Sequence, residues 1–347
     1  MLLSQEFMLS LTYFYSKKDP EQETTAEQLK NHCEFYGLVF VDLCIDDSPE
    51  MKSKYENNTP TVCIGPYVLH APYSDTDLQV ATQSALSRQE RLEASGDEEY
   101  KKRVKNGVSI NNLDRFSYFF SKSYVIILSL ILAFFVGIPF LAPVLEKTGH
   151  TTSANITYKV YRVVCHQLAF RSFFVYGEQP FYPRQLANID NFLTYEQITN
   201  SDVIDLELAR ELVGDQLLGY KVAICERDVA IYGSLALFGF IFQLTKKKIK
   251  QLPWYWWFVI ALIPIALDGF TQIPSLSAGW PAWVPIREST PLIRVITGTL
   301  FGAGTGWFMY PMMEESMKET QITLHRKFAI INKINQTKKP VVDEAPV

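Results

Sequence analysis

The chain has 347 residues, 48% of them hydrophobic, 14% aromatic and 20% charged, a balance too apolar for a disordered protein and too charged for one buried wholly in lipid. A formal net charge of −4 provides no chain-wide basic field, so nucleic acid is excluded as a partner. Five cysteines, widely spaced and with no Cys-x-x-Cys among them, exclude a disulfide-dense scaffold, a zinc ribbon and a dithiol redox motif. Long apolar runs begin only after Tyr124, which predicts a membrane protein with a soluble head. Met1–Leu3 run straight into Ser4, Gln5 and Glu6 with no basic n-region and no long apolar core, so the head is expected to stay in the cytoplasm.

The head alternates strand and helix patterns. Ser10–Tyr15 is an aromatic, β-branched run that predicts a buried strand. Thr24–Tyr36 follows as a helix, with Gly37 as its C-cap. Leu38–Ile45 is a second strand, almost continuously apolar as a central parallel strand is. Pro49–Glu56 predicts a short helix, Thr61–Ile64 and Tyr67–His70 two strands joined at Gly65-Pro66, and Asp75–Glu93 a closing helix.

The order βαβαββα, with Thr59-Pro60 just before a strand, resembles the thioredoxin fold and its small glutaredoxin-like members. The resemblance covers the first quarter of the chain, and in that fold the corresponding proline borders the active site. Redox-active members carry cysteine in the turn after the first strand. Here that turn reads Ser16-Lys17-Lys18-Asp19-Pro20, so no thiolate is available there for exchange. Cys33, Cys44 and Cys63 fall inside predicted elements and are expected as small core residues. The expectation is an α/β thioredoxin-like domain, residues 1–94, without its redox chemistry.

A polar stretch, 95–122, forms a charged linker or solvated helix. Four spans follow. Tyr124–Leu145 is 22 residues long and uncharged, a helix of about 33 Å that matches the hydrocarbon core. The second runs from near Asp228 to Leu244. The third, Leu252–Phe270, opens with the interfacial cluster Trp254-Tyr255-Trp256-Trp257. The fourth, Leu292–Met313, carries Gly298, Gly302 and Gly306, two overlapping GxxxG patterns that favour close packing. An all-α membrane domain of four transmembrane helices is therefore expected over 123–313, with an outer insertion at 146–221 and a cytoplasmic tail at 314–347. Basic residues Lys101, Lys102, Arg103 and Lys105, then Lys246, Lys247, Lys248 and Lys250, then Arg326, Lys327, Lys338 and Lys339 fall on one side if there are four spans. The segment Asp190 to Asp215 holds seven acidic residues against Arg210 alone. The positive-inside rule then turns the insertion outward, makes both termini cytoplasmic and suits the cell membrane.

This topology brings polar residues to one depth at the outer ends of the spans: Cys165, His166, Gln167, Arg171, Cys225, Arg227, Asp268, Gln272, Glu288 and Arg294. Ionisable groups there are costly unless paired or wet, so mutual pairing is favoured. The same residues carry a second resemblance, covering about Tyr158–Trp307, to an uncharacterised bacterial integral-membrane family, a domain of unknown function. Its marks stand here as Cys165-His166-Gln167, Arg171-Ser172-Phe173, Cys225-Glu226-Arg227, Ile231-Tyr232-Gly233, Asp268-Gly269-Phe270-Thr271-Gln272 and Ser289-Thr290 with Arg294. The family implies an architecture and no reaction. The acidic stretch Glu178–Gly219 is an insertion against the family pattern, a docking surface or a lid.

Three fates are open to Cys165 and Cys225: a disulfide, a metal site with His166 and Asp268, or unpaired thiols. The arginines either grip an anion such as a lipid phosphate or pair with Asp228, Asp268 and Glu288. Two functions follow. The first is an accessory or scaffold subunit of a membrane assembly, with the lipid bilayer and protein partners as its contacts. The second is a membrane enzyme or binding protein that uses the Cys/His/Arg/Asp cluster on a lipid-like, redox or metal ligand. The sequence names no cofactor.

Overall fold

The computed structural model describes residues 9–19, 21–96, 98–107, 109–276, 280–281 and 283–337. Two compact units result: one from the described residues of 1–122 and 316–347, the other from 123–315. Pro20, Lys338 and Lys339 lie outside the described residues.

The first unit is a mixed sheet with helices. Its elements are β1 (Ser10–Tyr15), α1 (Glu21–Tyr36), β2 (Val39–Cys44), α2 (Pro49–Tyr55), β3 (Thr61–Ile64), β4 (Tyr67–His70), α3 (Asp75–Ala94) and α4 (Glu98–Gly107). The strand order is β2-β1-β3-β4. β1 runs parallel to β2 with Leu11 opposite Phe40, antiparallel to β3 with Leu11 opposite Ile64, and β3 pairs antiparallel with β4. Because side chains alternate across a strand, β1 feeds both faces. Leu11 and Tyr13 join Val62 and Ile64 against Leu29 and Cys33 of α1 and Leu78, Ala81 and Ala85 of α3. Phe14 joins Val41, Leu43 and Cys63 on the opposite face.

Ser74 caps α3 by accepting from the Asp77 amide at 3.1 Å, while Asp77 accepts from the Ser74 amide at 2.9 Å. The Thr59-Pro60 bond is cis. Cys33, Cys44 and Cys63 are buried and unbridged, and burial pushes the Cys33 thiol up to about 12. At the turn after β1, Ser16 Oγ donates to Asp46 Oδ2 at 2.8 Å and the Lys17 amide to the same oxygen at 3.1 Å. Ser16, Lys18, Asp19, Gln22, Asp46 and Lys52 line a polar cleft of about 270 Å³ there.

The second unit begins within α5 (Asn112–Gly137). It continues through α6 (Leu141–Lys147), α7 (Thr151–Tyr161), β5 (Ser172–Val175), α8 (Tyr195–Thr199), α9 (Leu206–Glu211), β6 (Gly214–Asp215), β7 (Gly219–Cys225), α10 (Glu226–Leu244), α11 (Trp254–Trp257), α12 (Ile263–Phe270) and the start of α13 (Pro291–Thr337). Among the described residues, three helical stretches are long and apolar enough to cross a membrane: Asn112–Lys147, Glu226–Leu244 and Trp254–Ser275. The expected fourth, Leu292–Met313, is helical within α13 but is not one of the three. Arg294 and the glycines that pack it dilute its hydropathy.

Other departures from the sequence reading have local causes. The stretch after residue 313 is no separate tail: α13 continues to Thr337, and its Ile322, Ala329, Ile330 and Ile334 cover the Phe14 face of the first unit. The 123–315 unit is not all-α, because β5-β7-β6 form a three-stranded antiparallel sheet. β7, GYKVAIC, is buried along most of its length, so its apolar run behaves as a core strand. Between α11 and α12 one π-turn covers Phe258–Leu262. Pro264 follows two residues after its end, and its missing amide and its ring prevent regular i to i−4 bonding there.

Candidate functional site

The polar layer is assembled by β7 and the segments it draws together. Ser172 of β5 lies opposite Cys225 at the end of β7, which delivers the chain around 165–171 to the N-terminus of α10. Gln167 adopts a left-handed backbone, φ 54°, and turns its amide inward. There Nε2 donates to Tyr158 O at 2.9 Å and to Ala223 O at 2.8 Å. Lys221, fully buried on β7, donates to Gln167 O at 3.0 Å and Arg210 O at 2.7 Å. Burial lowers its pKa from 10.5 to about 7.

From the other side, α10 and α13 meet through glycine. A Cβ on Gly298 would fall 2.8 Å from Arg227 O, and one on Gly302 would overlap Ile231 O. This close approach holds Arg227 and Glu226 beside Arg294.

The charged groups pair off almost completely. Glu288 is the hub. It accepts from Arg171 Nε at 2.9 Å, Arg184 Nη1 at 3.4 Å and Ser275 Oγ at 2.9 Å, and also from Arg294 Nη2. Arg294 in addition donates to Glu226 at 3.2 Å and Phe170 O at 3.1 Å. A second knot forms on Asp268, which takes Arg227 on one oxygen and Arg287, at 3.1 Å, on the other. Gln272 is buried one turn on and bonds back to Asp268 O. Of the two roles open to the arginines, pairing with carboxylates is the one this geometry displays.

Next to these knots lies a cleft of about 250 Å³, lined by Cys165, His166, Gln167, Arg171, Cys225, Arg227, Asp228 and Arg294, with Val164 and Leu168. Seven of the ten residues singled out from sequence line it. Asp268 and Glu288 instead hold its arginines, Arg227 on the first and Arg171 and Arg294 on the second, and Gln272 bonds back to Asp268. The Cys225 amide donates to Cys165 Sγ at 3.3 Å, and both thiols are unbridged. The Cys165 contact, followed by burial, raises the Cys225 thiol well above its ordinary value. Cys165 Sγ, Cys225 Sγ and an Asp228 carboxylate oxygen all lie within 4.8 Å of one another. His166 and Asp268, expected as further ligands, are not in that group: His166 is exposed on the rim, and Asp268 is committed to two arginines.

Sequence reasoning missed the place of Asp228 beside the two thiols and the contributions of Glu226, Arg184 and Arg287. Asp228 was legible in principle, three positions after Cys225 on one helical face. Arg184 was not, because it arrives from within the insertion, whose Tyr182 and Tyr195 pack into a core with Phe170 and Phe174.

Residues 216–308 match the family described as "Predicted membrane protein (DUF2085)". With the three apolar helices, that makes the chain a membrane protein. The matched stretch holds Cys225, Arg227, Asp228, Asp268, Glu288 and Arg294, and the Cys165–Arg171 segment lies outside it. The chain is also similar to a protein of the archaeon Methanocaldococcus jannaschii described as "Uncharacterized protein MJ1492". The two are 28% identical over 200 residues, which is 56% of this chain and 94% of the relative. No solved structure matches the chain.

Proposed function

We propose that this is a four-span membrane protein of the cell membrane, with both termini cytoplasmic, that binds a small ligand in the cleft at the outer end of its helices. The observation that carries the binding reading is the cleft itself, which gathers two thiols, a carboxylate and a histidine beside arginines already paired with other acids. A layer built only to make charges tolerable in lipid would need the ion pairs and no such cleft. Leu292–Met313 as the fourth span is supported by its glycine contacts with α10 and by the one-sided distribution of basic residues that four spans produce. A redox-inactive thioredoxin-like head is supported by the strand order β2-β1-β3-β4 and by the sulfur-free turn at Ser16.

Native mass spectrometry of the detergent-extracted chain tests the binding reading. A bound mass on the natural chain that is lost from Cys225→Trp, whose side chain fills the cleft, is the expected result. Identical spectra for the two overturn it.

A second reading, an accessory subunit that docks a protein partner, is favoured by the apolar side chains exposed on the insertion: Leu193, Val203, Leu208 and Leu217. It requires a stoichiometric partner to co-purify in mild detergent and to be lost on Val203→Asp with Leu217→Asp.

A further inference from the structure

The cleft contains one group of side chains that the ion-pair knots leave unused. Among the described residues no cation pairs with Asp228, whereas Asp268, Glu226 and Glu288 are each held by arginine. Cys225 caps the N-terminus of α10 and Asp228 sits in its first turn, so the two project to the same side. Cys165 is fixed opposite them by the Cys225 amide and by its packing on Val222 and Ile224 of β7. We infer that Cys165, Cys225 and Asp228 form a binding site for a thiophilic divalent cation of the zinc class, with the cleft supplying room for a fourth ligand. This rests on the binding reading above and names the ligand class for it.

The geometry suits such an ion. Bonds of about 2.3 Å to sulfur and 2.0–2.2 Å to oxygen put tetrahedral ligand atoms roughly 3.5 Å apart. The three atoms here all lie within 4.8 Å, so side-chain rotation by about 1 Å closes the set. Two thiolates and one carboxylate carry three negative charges against two on the ion. The fourth position faces the 250 Å³ cleft, where water or the exposed His166 ring completes a tetrahedron. Three protein ligands and one open position is the arrangement of a site that can exchange its fourth ligand. A disulfide would use the same two sulfurs and give Asp228 no part, so the carboxylate separates the two possibilities. Binding releases the two thiol protons to solvent.

The test uses the full chain in mild detergent, reduced with a phosphine, stripped of metal and titrated with cobalt(II) and then zinc(II). The expected result is a cobalt–thiolate charge-transfer band at one ion per chain, displaced by zinc. Cys165→Ser and Cys225→Ser should each diminish the band, and Asp228→Asn, which removes a direct ligand, should weaken zinc binding by at least about 10-fold, the least that losing even an outer-shell partner costs. Should the serine variants fail to fold, zinc protection of Cys225 from alkylation in the natural chain supports the site without them. No charge-transfer band and no protection overturn the metal assignment, as does a band that survives in Cys225→Ser. So does isolation of the chain two hydrogens lighter, as a disulfide that takes up no zinc once reduced. If the metal assignment fails while the bound mass still disappears in Cys225→Trp, the cleft binds something else and the broader reading stands; if both fail, the binding reading falls with it.

Discussion

The two units are held together by opposite means. In the first, Leu11, Tyr13, Val62 and Ile64 form an apolar core between a sheet and two helices, where stability follows apolar area removed from water. In the polar layer of the second, Glu288 and Asp268 gather five guanidiniums: Arg171, Arg184 and Arg294 on one, Arg227 and Arg287 on the other. Taking charges out of water costs several kcal/mol per ion, and pairing restores it only when every partner is present. An apolar core therefore loses stability by degrees, while a charge knot fails abruptly.

The six tryptophans all lie between 254 and 307, so intrinsic fluorescence reports the second unit, and alkylation of buried Cys33 reports the first. Glu288→Ala should have the largest effect. It strands Arg171 and takes one of two carboxylates from both Arg184 and Arg294, and we expect a loss of about 3–5 kcal/mol, read as an early tryptophan transition with Cys33 still protected. A loss under about 1 kcal/mol would mean the hub is dispensable and the contrast between the units is wrong.

Next comes pH. With the pKa of Lys221 lowered from 10.5 to about 7 by burial, the unfolded chain binds a proton that the folded chain does not over that interval. Its stabilising share is complete above about 10.5 and is lost as pH falls towards 7. Stability of the second unit should accordingly rise by about 1 kcal/mol per unit between about pH 7 and 9, a slope that Lys221→Met removes.

Gly302→Val should cost about 1–3 kcal/mol by forcing α10 and α13 apart and should broaden the tryptophan transition. Ile64→Val is the smallest, about 0.5–1.5 kcal/mol, seen as slightly faster Cys33 alkylation with tryptophan fluorescence unchanged. A larger effect there than at Gly302 would reverse the ranking of the two regions.

The first unit was the more legible in sequence for the same reason. Ser10–Tyr15, Thr61–Ile64 and Tyr67–His70 were expected as strands over the residues where they occur, because an aromatic, β-branched run and Gly65-Pro66 are local signals. The second unit depends on contacts between residues far apart in the chain. Nothing near Gly219–Cys225 marks a strand whose partner, Ser172–Val175, lies some fifty residues away. Nothing near Arg184 shows that it reaches Glu288, about a hundred residues on. The cleft's cysteines stood out because their neighbours were unusual for their depth, whereas Asp228 was obscured by reading it as one more acid for the arginines.

Helix α13 supplies Arg294 to the polar layer of one unit and Ile322 to the sheet face of the other. It is synthesised after the residues it completes. Until it emerges from the ribosome, the arginine that pairs with Glu226 and the isoleucine that covers the Phe14 face are both missing, so neither unit can complete its native contacts. Any truncation that removes α13 leaves both unfinished at once, which ties the completion of two units to the synthesis of one helix.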